Sequence, residues 1–195
     1  MENNQAFITG RIASGFTYDH ESYGEKFYSF LVEVERSSGK TDLIPVIISE
    51  LLRNVRENYT DDYICLRGQF RQHNKHEDNK SKVVLYVFVL AAELLGRSTC
   101  TNDVFLEGYI CKTPVYRETP LGRQITDLVV AVSRAYGKCD YIPCICWGRL
   151  AYGAGSMPVG ACVRVAGRIQ SREYKKAGET KVAYELSVNL MERVS

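Results

Sequence analysis

The 195-residue sequence repeats itself in one register, at a step of 98. Phe7 recurs as Phe105, Gly10 as Gly108, Gly24 as Gly122, Val32 as Val130 and Val34 as Val132. The match continues through Arg36 and Arg134, Gly39 and Gly137, Lys40 and Lys138, Asp42 and Asp140, Ile44 and Ile142, and Pro45 and Pro143. Gly68 then pairs with Gly167, one residue later, so a single insertion lies between. A repeat of roughly 90 residues is the size of one small domain, so the chain reads as two copies of one fold. The expected domains are residues 1–97 and 103–195. The short polar stretch from Gly96 to Asp103 is expected to link them closely rather than as a loose tether.

Each copy carries the pattern of a β barrel. Phe30-Leu31-Val32-Glu33-Val34-Glu35 alternates apolar with polar, as a half-buried strand does. Its counterpart, Leu128–Val132, is apolar on both phases. Val83–Val89 and Val182–Val188 read as closing strands, and the polar clusters 73–80 and 175–179 as hairpin loops. Leu51–Val55 and Leu150–Tyr152 are candidate short helices after the third strand. Five strands with a helix after the third is the arrangement of an OB-fold, whose closed sheet limits exposed edges. The expected class is therefore all-β, two tandem five-stranded OB-fold barrels with one short helix per repeat. Phe30, Val32, Ile44, Val46 and Ile48 are expected in the first core.

Other features narrow the function. No apolar run approaches the roughly 20 residues of a membrane span. The N-terminus, Met1-Glu2-Asn3-Asn4-Gln5, lacks a signal-peptide core, so a cytoplasmic location is expected. The three histidines, His20, His73 and His76, lie in polar, loop-like surroundings, and no phosphate-binding glycine loop or acidic cluster is present. An enzyme is not expected, nor a metal or cofactor. Seven cysteines include no C-x-x-C pair. Cys139, Cys144 and Cys146 supply three of the four ligands of a zinc site, but without the usual spacing, so core packing is expected instead. The net charge of +2 names no partner by itself, but the halves differ. Residues 1–98 carry 12 Lys/Arg against 14 Asp/Glu, a net of −2; residues 99–195 carry 13 against 9, a net of +4. The second half is the better suited to a polyanion.

The second repeat resembles a known family. Asp140-Tyr141-Ile142-Pro143-Cys144-Ile145-Cys146-Trp147-Gly148-Arg149-Leu150-Ala151 is similar to the third strand and following helix of bacterial single-stranded DNA-binding proteins. Val159–Tyr174 is similar to their fourth strand, and Phe105–Ile110 to their first. The tandem layout resembles a variant found in Gram-positive bacteria and their mobile elements. The resemblance implies base stacking on Tyr136, Tyr141, Trp147 and Tyr174. Aromatic platforms bind unpaired bases with little regard to sequence, and nearby cations neutralise phosphates. Around the four rings lie Arg117, Arg123, Arg134, Lys138, Arg149, Arg168, Arg172, Lys175 and Lys176.

The expected function is binding of single-stranded DNA in replication, recombination or repair, with RNA a second candidate strand. The alternative is an accessory scaffold of replication or the primosome with weak or no DNA binding. The repeats are not equivalent. Tyr136, Tyr141, Trp147 and Tyr174 map back to Ser38, Leu43, Ser49 and Lys75, so the first barrel lacks all four rings. It is expected to support assembly. The resemblance implies four OB-folds per assembly, hence a homodimer, and a long acidic-tipped tail; this sequence ends directly after its last strand, so no acidic tail for recruiting replication enzymes is expected.

Overall fold

The computed structural model describes residues 3–77, 80–176 and 178–194; for 74–77, 80–82 and 176 the backbone alone is described. The chain divides into two compact units. One holds Gln5–Arg71 and Lys75–Asp103, and the other holds Val104–Ser195 with a few residues of the first repeat.

The first unit is built from β1 (Asn4–Ile12), β2 (Thr17–Ser22), β3 (Glu25–Glu35), β4 (Thr41–Ser49), β5 (Tyr63–Glu77) and β6 (Lys80–Leu95). Their order is β2-β3-β4-β6-β5-β1, and β1 pairs back onto β3 to close the barrel. β1 pairs with β5 over Ala6–Arg11, then reaches β3 at Arg11↔Glu33 and Ile12↔Val32. β2 takes up the same strand again from Thr17↔Ser29, and Ala13 N–H bridges the break to Leu31 O at 2.8 Å. β1 and β2 are thus one barrel strand broken at residues 13–16, which leaves five strands in the OB sense. β4 and β6 run parallel through Val46↔Val87 and Ile47↔Phe88.

The second unit repeats the plan with β7 (Thr101–Ile110), β8 (Val115–Glu118), β9 (Gln124–Ser133), β10 (Cys139–Trp147), the helix α1 (Arg149–Gly155), β11 (Cys162–Lys176) and β12 (Glu179–Arg193). Its order is β7-β11-β12-β10-β9-β8, closed by β7 on β9 at Tyr109↔Ala131 and Ile110↔Val130.

The repeated glycines stand where strands lie on one another. A Cβ on Gly10 would overlap the carbonyl oxygen of Glu33, and one on Gly108 that of Ala131. Gly68 and Gly167 stand in the same way against the carbonyl oxygens of Phe88 and Ser187. At these points one backbone lies on another, and only glycine fits. The pair Arg36–Asp42 (Nε to Oδ2, 2.6 Å) recurs as Arg134–Asp140 (3.2 Å), and both aspartates are fully buried. Each spans the base of a turn in which the arginine N–H bonds the lysine carbonyl, Arg36 to Lys40 at 2.7 Å and Arg134 to Lys138 at 2.8 Å.

The expected first core is present: Phe30, Val32, Ile44, Val46 and Ile48 are buried, with Ile8, Leu66 and Val87. In the second unit Leu106, Val130, Ile142 and Val163 are buried, with Ile169 and Leu186. Cys144 and Cys146 lie in that core as well.

Three expectations are corrected. Among the described residues the first barrel has no helix: residues 50–61 form mostly turns and bends. Leu51 is exposed, and local side chains capture the backbone N–H groups a helix would use, Ser49 Oγ from Leu51 at 3.1 Å, Asn54 Oδ1 from Arg56 at 3.3 Å and Asn58 Oδ1 from Thr60 at 3.1 Å. In the second barrel the equivalent segment buries Ala151 and Ala154 and extends to seven residues, Arg149–Gly155. The polar clusters at 73–80 and 175–179 are mostly strand, because β5 runs to Glu77, β6 starts at Lys80, β11 runs to Lys176 and β12 starts at Glu179. Asp78, Asn79 and Ala177 lie outside the described residues. The linker is also shorter than expected, since β7 already begins at Thr101.

Candidate nucleic-acid interface

β10 sends Asp140, Ile142, Cys144 and Cys146 into the core, so Tyr141, Pro143, Ile145 and Trp147 share its outer face. β12 does the same with Leu186 and Val188 inside and Glu185 and Ser187 outside. The register Ile145↔Ser187 and Ser187↔Arg168, then Glu185↔Gln170, lays these outer residues side by side across β10, β12 and β11. Trp147 stands at the end of β10, and its Nε1–H donates to Ser187 Oγ at 3.2 Å. The indole is thereby held against β12 by its edge.

All four predicted rings are exposed: Tyr136 at 99%, Tyr141 at 50%, Tyr174 at 39% and Trp147 at 36%. Tyr141 and Trp147 belong to the outer face of β10. Tyr174 lies on β11, in the same phase as Arg168, Gln170 and Arg172 and opposite Lys181. Tyr136 sits in the turn between β9 and β10, with φ 60° and ψ 33°. This left-handed conformation is one that residues with a side chain rarely adopt.

The basic residues separate into kinds. Arg123, Lys138, Arg149 and Lys175 are exposed. Arg117 donates from Nε to Asp127 Oδ2 at 2.6 Å. Arg172 lies 3.7 Å from Glu185, which is buried and also accepts from Gln170 Nε2 at 2.9 Å. Arg168 is half-buried, and its Nε finds no hydrogen-bond partner among the described residues. Arg134 is turned to the buried Asp140; the 3.2 Å between them is not aligned as a hydrogen bond. The same ion pair exists in the first barrel, which has none of the four rings, so it belongs to the architecture. The side chain of Lys176 lies outside the described residues.

Gln170, Glu185 and Ser187 were missed as members of this face. The alternation Glu185-Leu186-Ser187-Val188 places them outward, but nothing in the sequence reveals that outward polar residues would be buried beneath arginine and tryptophan side chains. Chemically, the surface offers flat rings for stacking, fixed guanidinium groups and a polar floor. Among the described residues, no group of His, Cys, Asp or Glu is placed to hold a metal ion.

The model of the single-strand binding protein family matches residues 101–194. A single-stranded DNA-binding protein of Clostridium tetani is 36% identical over 87 residues, 41% of this chain and 60% of that protein. Single-stranded DNA-binding protein B of Bacillus subtilis is 32% identical over 81 residues, 38% of this chain and 72% of that protein. This chain belongs to the single-strand binding protein family. Its match spans 60% of the length of the Clostridium relative. The wild-type single-stranded DNA binding protein of Thermus aquaticus shares the fold over 98% of this chain and 93% of its own, with a TM-score of 0.77 at 19% identity. Family membership agrees with the expectation of a non-enzymatic protein.

Proposed function

We propose that the second barrel binds single-stranded DNA without strong sequence preference, by stacking bases on Tyr136, Tyr141, Trp147 and Tyr174. The observation that carries this reading is the exposure of all four rings at the positions the family motif assigns them. Residues inside the barrel could not meet a base; these can. Arg123, Lys138, Arg149 and Lys175, exposed and with no carboxylate in ion-pair reach among the described residues, supply the phosphate contacts, while Arg117 and Arg172 are held by Asp127 and Glu185. Arg134 is left out because its pairing to Asp140 is repeated where no ring exists. The relatives' names describe single-stranded DNA-binding proteins, which supports DNA over RNA as the strand. Such binding fits a role in replication, recombination or repair, and two barrels per chain give four in a homodimer.

Trp147→Ala combined with Tyr174→Ala should weaken binding of a labelled oligo-dT by about 1–3 kcal/mol for each ring lost, read by fluorescence anisotropy. Tyr152→Ala removes an exposed ring on α1 and should leave binding unchanged. Near wild-type affinity in the double variant would remove the basis of the proposal.

A further inference from the structure

The first barrel lacks the four family rings, yet its outer face is not bare. Phe27, Ile47 and Tyr86 are buried there as a cluster of their own, with Phe88 packed against it. They point outward by strand phase, since Phe30 and Val32 on β3, Val46 and Ile48 on β4, and Val87 and Val89 on β6 fill the core. The register Ile47↔Phe88 repeats Ile145↔Ser187 of the second barrel, so the cluster occupies the face that in the second barrel lies beside Trp147.

Two flat polar groups cap this cluster. The imidazole of His20 stacks on Phe27, with ring centroids 4.8 Å apart and planes 9° apart. The guanidinium of Arg71 lies 3.9 Å from the centroid of the Phe88 ring. Each cap is held from the side: His20 Nδ1 is 2.7 Å from Asp19 Oδ2, and Arg71 donates from Nε and an Nη to Gln69 Oε1 at 2.9 and 2.6 Å. The His20 side chain is about half exposed, at 47%.

We propose that this face is a second base-stacking site, in which unpaired nucleobases lie on His20 and Arg71. Unpaired bases stack on His rings and on Arg guanidinium planes as well as on larger aromatics. A base is the occupant that matches two planar caps already lying on aromatic rings. The net charge of −2 in this half gives little grip on phosphates, so the site takes bases and adds little salt dependence. Its stacking does not require the second-barrel rings.

The test is photocrosslinking of the full chain to oligo-dT carrying 5-iodouracil, followed by tryptic mapping, with Trp147 fluorescence recorded on the same samples. Crosslinks are expected on the peptides 12–26, which holds His20, and 83–97, which holds Tyr86 and Phe88. His20→Ala with Arg71→Ala should lower their yield at least about tenfold, since the loss of even one stacked base has that effect, and leave the Trp147 signal as in wild type. Crosslinks confined to residues 104–194 would overturn the proposal, as would first-repeat crosslinks of undiminished yield in the variant. A wild-type chain whose Trp147 does not respond would instead count against the second-barrel site alone, and a Trp147 response lost in the variant would overturn the separateness of the two sites.

Discussion

Tyr136 places a full aromatic ring in water on a backbone conformation with φ 60°, where a side chain costs about 1–2 kcal/mol relative to glycine. In the first repeat the equivalent residue is Ser38. A strained and exposed ring is what a stacking role explains and stability does not. Tyr136→Gly should therefore raise stability in urea denaturation by about 1 kcal/mol while weakening strand binding. A loss of stability would contradict the strain. At the same scale, Cys144 and Cys146 share the second core, and burial pushes the Cys146 thiol up to about 12. A thiol so raised keeps its proton in the folded state while the unfolded chain loses it from its ordinary value near 9. Stability should thus fall as pH rises from about 9 to 12, at up to about 1.4 kcal/mol per pH unit for this one group. Urea titrations across that range measure the fall, and Cys146→Ala should make it shallower without abolishing it, since burial raises the Cys144 thiol as well. The rings and the core cysteines were readable from motif and alternation. The pairing of Arg134 was not, because a sequence shows a cation without showing which carboxylate it faces.

At the scale of elements, the repeated glycines mark where strands cross in contact. Gly167→Ala drives a methyl into the carbonyl of Ser187 on β12 and should cost about 1–3 kcal/mol, read as a lowered melting temperature. Gly153, inside α1, faces open space. Gly153→Ala should stabilise by up to about 1 kcal/mol. A Gly167→Ala variant at least as stable as wild type would contradict the close contact of β11 on β12. The strands were legible because alternation and repeat agree on them. The helices were only half legible. Leu51–Val55 and Leu150–Tyr152 look alike as short apolar stretches, but one is captured by Ser49, Asn54 and Asn58 side chains and the other is anchored by Thr126 Oγ1 donating to Ala151 O at 2.7 Å. Those competing bonds decide the outcome, and they depend on the fold around them.

For the whole chain, the unequal division of charge and rings between the repeats is legible in the sequence alone. The folded molecule adds a distinction among cations. Four of the basic candidates, Arg123, Lys138, Arg149 and Lys175, are exposed with no carboxylate in reach of an ion pair among the described residues, whereas Arg117, Arg134 and Arg172 face Asp127, Asp140 and Glu185. Four neutralised phosphates give log affinity against log salt a slope of about −3, and all nine candidates would give about −6. The shallower slope is expected. The most direct measurement uses Trp147, the chain's single tryptophan. Titration with oligo-dT should quench its emission saturably, with the midpoint moving to higher oligonucleotide as salt is added. Emission that stays constant through a stoichiometric excess of oligonucleotide at low salt would contradict the account.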